Sequence, residues 1–242
     1  MTIISHKHRF IFLKSRKTAG SSVEGWLAPL LGQMDLVITS DENRRLPVLS
    51  TPHPVTRLAA IERPFKKALR LVRPGFRLDQ HSEAMEVRRS VGEDVWRSYY
   101  KFSIERQPWD RLLSLWSWRQ HRLKREISFD HFLDRIESND GDPLVQYWSN
   151  IPAYADESGS IIVDTVLDYS KLTCELEGVA KRLRLPLSVD DLPRHKSGIR
   201  VKSRSVESLS REQIQRVSRI CRAEIEMFGW EEPKCMQQAL AG

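Results

Sequence analysis

The chain alternates short unbroken apolar runs with amphipathic stretches, and its polar chemistry collects at the junctions. Phe10, Ile11, Phe12 and Leu13 form the first apolar run. A run of this length predicts a strand of a parallel sheet, covered on both faces. The composition then turns to Lys14, Ser15, Arg16, Lys17, Thr18, Ala19, Gly20, Ser21 and Ser22, after which Val23, Trp26, Leu27 and Leu30 recur at helical spacing. Strand, tight loop and a helix from about Ser21 to Leu31 follow from that order. Small residues at a helix N-terminus, with lysines and hydroxyls among them, offer free N–H groups and the positive end of the helix dipole to an anion. The simplest such anion is a phosphate.

The pattern returns at Tyr100 to Trp116, YKFSIERQPWDRLLSLW. Pro108 stands where a helix can begin, and Trp109, Leu112, Leu113 and Trp116 share one helical face. The tryptophans at this spacing read as core.

Between the two junctions, Met34 to Thr39 predicts a short strand. Five prolines (Pro47, Pro52, Pro54, Pro64 and Pro74) then break the pattern within a basic, irregular stretch, an insertion at about 40–80. It reads either as a solvated basic surface or as a rim that draws in an anion. Ser82 is placed to cap a helix carrying Ala84, Met85, Val87 and Val91, and His81 precedes that cap. A short helix over Glu93–Ser98 leads into the strand before Arg106. Beyond it the spacing predicts a helix to about Arg122, one over Ser128 to Ile136 and a short one over Leu144 to Trp148. A strand region spans Ile161–Val163 and Thr165–Leu167, with a helix after Tyr169. A capping box of Ser210 and Gln213 opens a last helix that runs through Phe228 to Gly229. His6 and His8 read as lying at a mobile start of the chain.

Its 242 residues fit one large α/β domain or a domain and a half and suffice for a real core, and the net charge of +7 points to an anionic partner. Cys174, Cys221 and Cys235 have neither disulfide-framework nor metal-ligand spacing, and read as reduced and structural. No apolar run approaches the 18 residues of a membrane span, and the N-terminus lacks a signal-peptide core, so a cytoplasmic protein is expected. No metal is implied. A nucleic-acid-binding module is allowed by the charge, but no motif for one is present.

The first loop is not a Walker A motif, because Lys17 precedes Gly20 and no glycine lies upstream of it. A P-loop kinase or NTPase is therefore the weaker alternative. The order Lys-Thr-Ala-Gly-Ser-Ser, followed by strand then Arg-x-Pro-x-x-Arg-x-x-Ser, resembles the PAPS-dependent sulfotransferases. The closest resemblance is to the carbohydrate (Golgi-type, sulfotransferase family 2) enzymes. It implies a P-loop-type three-layer α/β/α fold with a central, mainly parallel sheet, in one domain over 1–242. It implies 3′-phosphoadenosine 5′-phosphosulfate, PAPS, as co-substrate, with PAP as product. The 5′-phosphosulfate falls to Arg16, Lys17, Thr18, Ala19, Gly20, Ser21 and Ser22, and the 3′-phosphate to Arg106 and Ser114. A later basic loop brings Lys196 and Ser197 as further contacts, or is merely a surface loop. Lys17 is the implied catalytic cation and His81 the implied base, with Glu83 and Glu86 as the other candidates. The acceptor is a hydroxyl, on a saccharide or glycolipid by the resemblance, with a small alcohol left open. Two positions depart from the pattern. Gln107 replaces the common asparagine, and Glu105 replaces an apolar residue, where it either pairs with a basic neighbour or opposes phosphate at Arg106.

Overall fold

The computed structural model describes residues 2–32, 35–38, 78–79, 81–139, 141–193 and 205–234. In chain order these contain β1 (Thr2–Ser5), β2 (Phe10–Phe12), α1 (Gly20–Leu27), β3 (Leu36–Ile38), α2 (Ala84–Val91) and α3 (Glu93–Ser98). Next come β4 (Tyr100–Glu105), α4 (Pro108–Leu123), α5 (Phe129–Ser138), β5 (Thr165–Asp168), α6 (Leu172–Leu183), α7 (Arg211–Ile220) and α8 (Arg222–Phe228). Most of the basic insertion lies outside the described residues, as do Lys196, Ser197 and Cys235. The chain divides into two compact units, Met1–Glu105 with Ile151–His195, and Arg106–Asn150 with Lys196–Gly242.

The first unit is built on a five-stranded sheet of order β3-β1-β2-β4-β5. β2 pairs parallel with β4, and β4 with β5, whereas β1 is antiparallel to both of its neighbours. Four strands therefore run one way and β1 runs against them, which is the mainly parallel α/β sheet expected. The stretch expected to be a mobile start instead begins with secondary structure. Thr2–Ser5 is a buried strand, and the turn after it is clasped by Asp35. One carboxylate oxygen accepts from the N–H groups of His6 (2.6 Å) and Lys7 (3.1 Å), and the other from the Ser5 hydroxyl (3.0 Å) and the Gly32 N–H (2.8 Å).

Alternating side chains of the sheet, Phe10, Phe12, Phe102, Ile104 and Leu167, meet Val23, Trp26 and Leu27 of α1 and Leu176 and Val179 of α6 in one core cluster. Burying large apolar side chains of this kind contributes about 1.5–3 kcal/mol each. α1 gives way to a 3-10 turn at Ala28–Leu30 because Pro29 has no N–H to continue the α pattern. β5 begins at Thr165, and Ile161 makes only an isolated bridge to Ala155.

The second unit buries the apolar stripe of α4 (Trp109, Leu112, Leu113, Trp116) against Phe132, Leu133 and Ile136 of α5 and Ile214 and Val217 of α7. The tryptophans are thus core. Each indole N–H has a carbonyl partner, Ile214 for Trp109 (3.2 Å) and Ile127 for Trp116 (3.0 Å). Ser128 caps α5, and the Ser210–Gln213 box caps α7 as the sequence predicts. Two expectations are corrected. Leu144–Trp148 is a run of turns rather than a helix, with Tyr147 at φ 58°. The last helix is broken at Cys221 into α7 and α8.

Candidate active site

In the first unit the phosphate-loop candidate leaves β2 and is tied at once to β4. The Leu13 N–H donates to the Phe102 carbonyl (2.9 Å), and the Ser103 hydroxyl donates to the Leu13 carbonyl (2.8 Å). Ser15 donates its hydroxyl to the Ile104 carbonyl, so the Thr18 hydroxyl, 2.7 Å from Ser15 Oγ, is the donor in that second contact. The Thr18 side chain therefore faces inward and holds the loop. Only its backbone N–H is left for a ligand.

The loop then bends through left-handed backbone at Lys17 (φ 64°) and Ala19 (φ 59°). For residues other than glycine that conformation costs about 1–2 kcal/mol each, and it persists where the surroundings over-determine it. Left-handed residues in such a turn make successive N–H groups converge into an anion-binding nest. Among the described residues no group accepts from the backbone N–H of Thr18, Ala19, Gly20 or Ser21. These donors gather at the N-terminus of α1, where the helix dipole adds to their pull on an anion.

A buried ion pair underlies the loop. Lys14 Nζ lies 2.8 Å from Glu24 Oε1, with both side chains buried, in a contact that is ionic rather than an aligned hydrogen bond. The Lys14 stem passes over Gly20 so closely that an added Cβ there would sit 2.6 Å from Cγ and 2.8 Å from Cε. Gly20→Ala should therefore displace the lysine and destabilise the fold by about 1–3 kcal/mol, the usual cost of overpacking. A denaturant titration with an unchanged midpoint would remove this role for Gly20.

His81 is half-buried beside the same loop. Its Nδ1 lies 2.9 Å from the Lys14 carbonyl oxygen. A carbonyl only accepts, so Nδ1 carries the proton and Nε2 keeps its lone pair. Burial, followed by the positive charges of Arg16 and Lys14, lowers the His81 pKa from 6.5 to about 2, against the opposing pull of the Lys14 carbonyl. The ring is neutral at pH 7. The loop carrying it is fixed by Asp79, whose carboxylate accepts from the His81 N–H at 2.6 Å. Ser82 is not the helix cap. Its hydroxyl accepts from the Asp79 N–H (2.7 Å), and Glu83 caps α2 in a reciprocal box with Glu86. The Glu86 carboxylate accepts from the Glu83 N–H at 3.0 Å, so the alternative bases already serve the cap.

In the second unit Pro108 opens α4 behind Arg106, as its missing N–H and preset φ favour. Arg106 Nε donates to Asp110 Oδ2 at 2.7 Å, and a second guanidinium nitrogen pairs with the same oxygen. Asp110 was not legible as part of the motif, yet it fixes the fork from one turn along the helix. Ser114 follows one turn later, half-buried, and its hydroxyl has no partner among the described residues. The motif's second arginine, Arg111, is structural. It is fully buried, 3.3 Å from Glu224, and also donates to the Trp148 carbonyl. Glu105, in the first unit, accepts from the Tyr154 hydroxyl at 3.0 Å within the buried interior.

Sequence reasoning counted Lys14 among the loop's lysines but passed over its partner Glu24. Glu24 was detectable as a charge set among Val23, Trp26 and Leu27 on the buried face of α1, a position that requires a buried partner.

A strand–loop–helix turn whose free backbone N–H groups suit an anion thus stands on a mainly parallel α/β sheet, with a neutral histidine beside it. The family model described as Sulfotransferase family matches residues 1–231, and the chain belongs to that family. The crystal structure of a sulfotransferase from Alicyclobacillus acidocaldarius is similar at 16% identity and a TM-score of 0.39, over 90% of this chain and 98% of that one. No curated protein matches. Membership implies sulfuryl transfer as the general activity. Among the described residues no helix is long and apolar enough to cross a membrane, and no group of His, Cys, Asp and Glu is arranged to hold a metal.

Proposed function

We propose that the protein transfers a sulfuryl group from PAPS to an acceptor hydroxyl, in the cytoplasm, with a saccharide or glycolipid as the favoured acceptor. The observation that carries this reading is the nest of unpartnered N–H groups beside a neutral His81 whose tautomer is set by the Lys14 carbonyl. The residues fit a phosphosulfate, because backbone donors and flanking cations suit an oxyanion and no carboxylate is needed to hold a metal. Bound PAPS supplies an activated sulfuryl group, whose bond to the 5′-phosphate oxygen breaks as the bond from sulfur to the acceptor oxygen forms.

His81 Nε2 takes the proton of the attacking hydroxyl. Lys17 meets the negative charge on the oxygen that keeps the electron pair of the broken bond, and PAP departs. The N–H groups of Thr18 to Ser21 hold the 5′-phosphate, with Arg16, Ala19, Gly20 and Ser22 completing the loop. Positioning and charge stabilisation account for such a transfer, with no covalent enzyme intermediate. Arg106, held by Asp110, and Ser114 are the proposed donors to the 3′-phosphate.

Calorimetric titration with 3′,5′-adenosine bisphosphate, AMP and ATP–magnesium tests this. The wild type should bind the bisphosphate about 100-fold more tightly than AMP, as expected for charge-assisted bonds to one extra phosphate. Arg106→Ala should bring the two ligands to within about tenfold of each other. A wild type that binds the bisphosphate no better than AMP, or prefers ATP–magnesium, overturns the reading.

A further inference from the structure

We propose that Lys14 is a positioning residue that fixes the direction in which Ser21 donates its hydroxyl proton to the bound anion. This rests on the donor site proposed above and assigns it a residue that the phosphate-loop pattern leaves out. Lys14 Nζ donates to Ser21 Oγ at 3.3 Å. An ammonium has donors only, so Ser21 is the acceptor in this contact and its own single proton points elsewhere. Among the described residues nothing receives that proton. Ser21 stands in the first turn of α1 beside the unpartnered N–H of Gly20, so the hydroxyl donates in the same region as the backbone nest.

The rest of the arrangement keeps the lysine in that place. Glu24, 2.8 Å from Nζ, offsets the buried charge, and Gly20 leaves room for the aliphatic stem. A serine without this partner turns freely about its C–O bond and presents a lone pair to an oxyanion as readily as a proton. With Lys14 in place the donor sense is set before the ligand arrives, which is preorganisation in the ordinary meaning. Lys14 thus differs from Lys17, since it works through Ser21.

The test is a double-mutant cycle read by titration with 3′,5′-adenosine bisphosphate. Lys14→Met alone removes the cation that offsets the Glu24 carboxylate, so the paired change Lys14→Met/Glu24→Leu is used, because replacing both members of a buried ion pair by apolar residues is often neutral for folding. That variant and Ser21→Ala should each weaken binding about tenfold, the scale of one charge-assisted hydrogen bond. Combined, they should bind within about twofold of Ser21→Ala alone, because both remove one directed donor. Effects that multiply to about 100-fold, or a paired variant that binds like the wild type, overturn the proposal. If the wild type fails to bind the bisphosphate at all, the donor site itself is wrong, an outcome separate from additivity in the cycle.

Discussion

Lys17→Ala should lower kcat for sulfuryl transfer by about two to three decades, the loss that follows removal of a preorganised donor to a developing oxyanion. The charge it answers arises late, as the bond between sulfur and the 5′-phosphate oxygen breaks, so bisphosphate affinity should fall much less than turnover. A backbone control is available. Lys17 sits at φ 64°, and alanine pays nearly the same steric cost there, so Lys17→Ala leaves the backbone term almost unchanged. Lys17→Gly removes that cost and should raise stability, by up to about 1 kcal/mol, while abolishing turnover to the same extent. Single-turnover kinetics beside denaturant unfolding separates the two quantities. Turnover of Lys17→Ala within tenfold of wild type would leave the lysine without its assigned part.

The organisation of the first unit was legible wherever a contiguous segment carried its own signal. The run Phe10–Leu13, the small-residue loop and the face Val23, Trp26, Leu27 were enough to predict β2, a tight loop and α1. β1 was not legible, because Thr2–Ser5 is only four residues long and two of them are polar. Its place comes from pairing with β2 and β3 and from Asp35, which lies about thirty positions away in sequence. The loop's left-handed residues were hidden for a different reason. Glycine advertises positive φ, whereas Lys17 and Ala19 do not, and they are held there by the anchoring of Leu13 and Ser15 on β4.

Caps show the same division between local and distant information. Ser210 and Gln213 stand at the spacing of a reciprocal box and were read correctly. Ser82 also had a cap's chemistry, but Asp79 engages it and Glu83 with Glu86 closes the helix one residue later. In the second unit, Arg106 and Ser114 could be named from the motif. Asp110 as the partner of Arg106 needed the helix to be formed, since it lies a turn away. The hydrogen bond that Glu105 accepts from Tyr154 was not legible either, because Tyr154 is distant in sequence.

His81→Asn should reduce kcat by about two to four decades, the usual contribution of a general base, while bisphosphate affinity stays within a few-fold. Asparagine can still donate to the Lys14 carbonyl but has no lone pair equivalent to Nε2. The pH dependence carries the sharper test. In the free protein the His81 pKa is lowered from 6.5 to about 2 by burial and by Arg16 and Lys14, so kcat/KM should show no acid limb from this ring near 6.5. In the complex the anionic donor offsets those cations, and the limb in kcat should appear at higher pH than in kcat/KM.

Stability should register the same group with the opposite visibility. Below pH 6.5 the unfolded chain binds a proton at this histidine that the folded chain refuses until about pH 2. The stability present above 6.5 is therefore lost as the pH falls, by at most about 1.4 kcal/mol per pH unit and by less for a ring that keeps some solvent contact. His81→Asn lacks this proton uptake, so its unfolding free energy should decline less steeply between pH 6.5 and 4 than that of the wild type. Denaturant midpoints across that window, measured on both proteins, give the difference directly. Parallel slopes would mean that His81 titrates like an exposed ring, and near-normal turnover of His81→Asn would pass the base to another group.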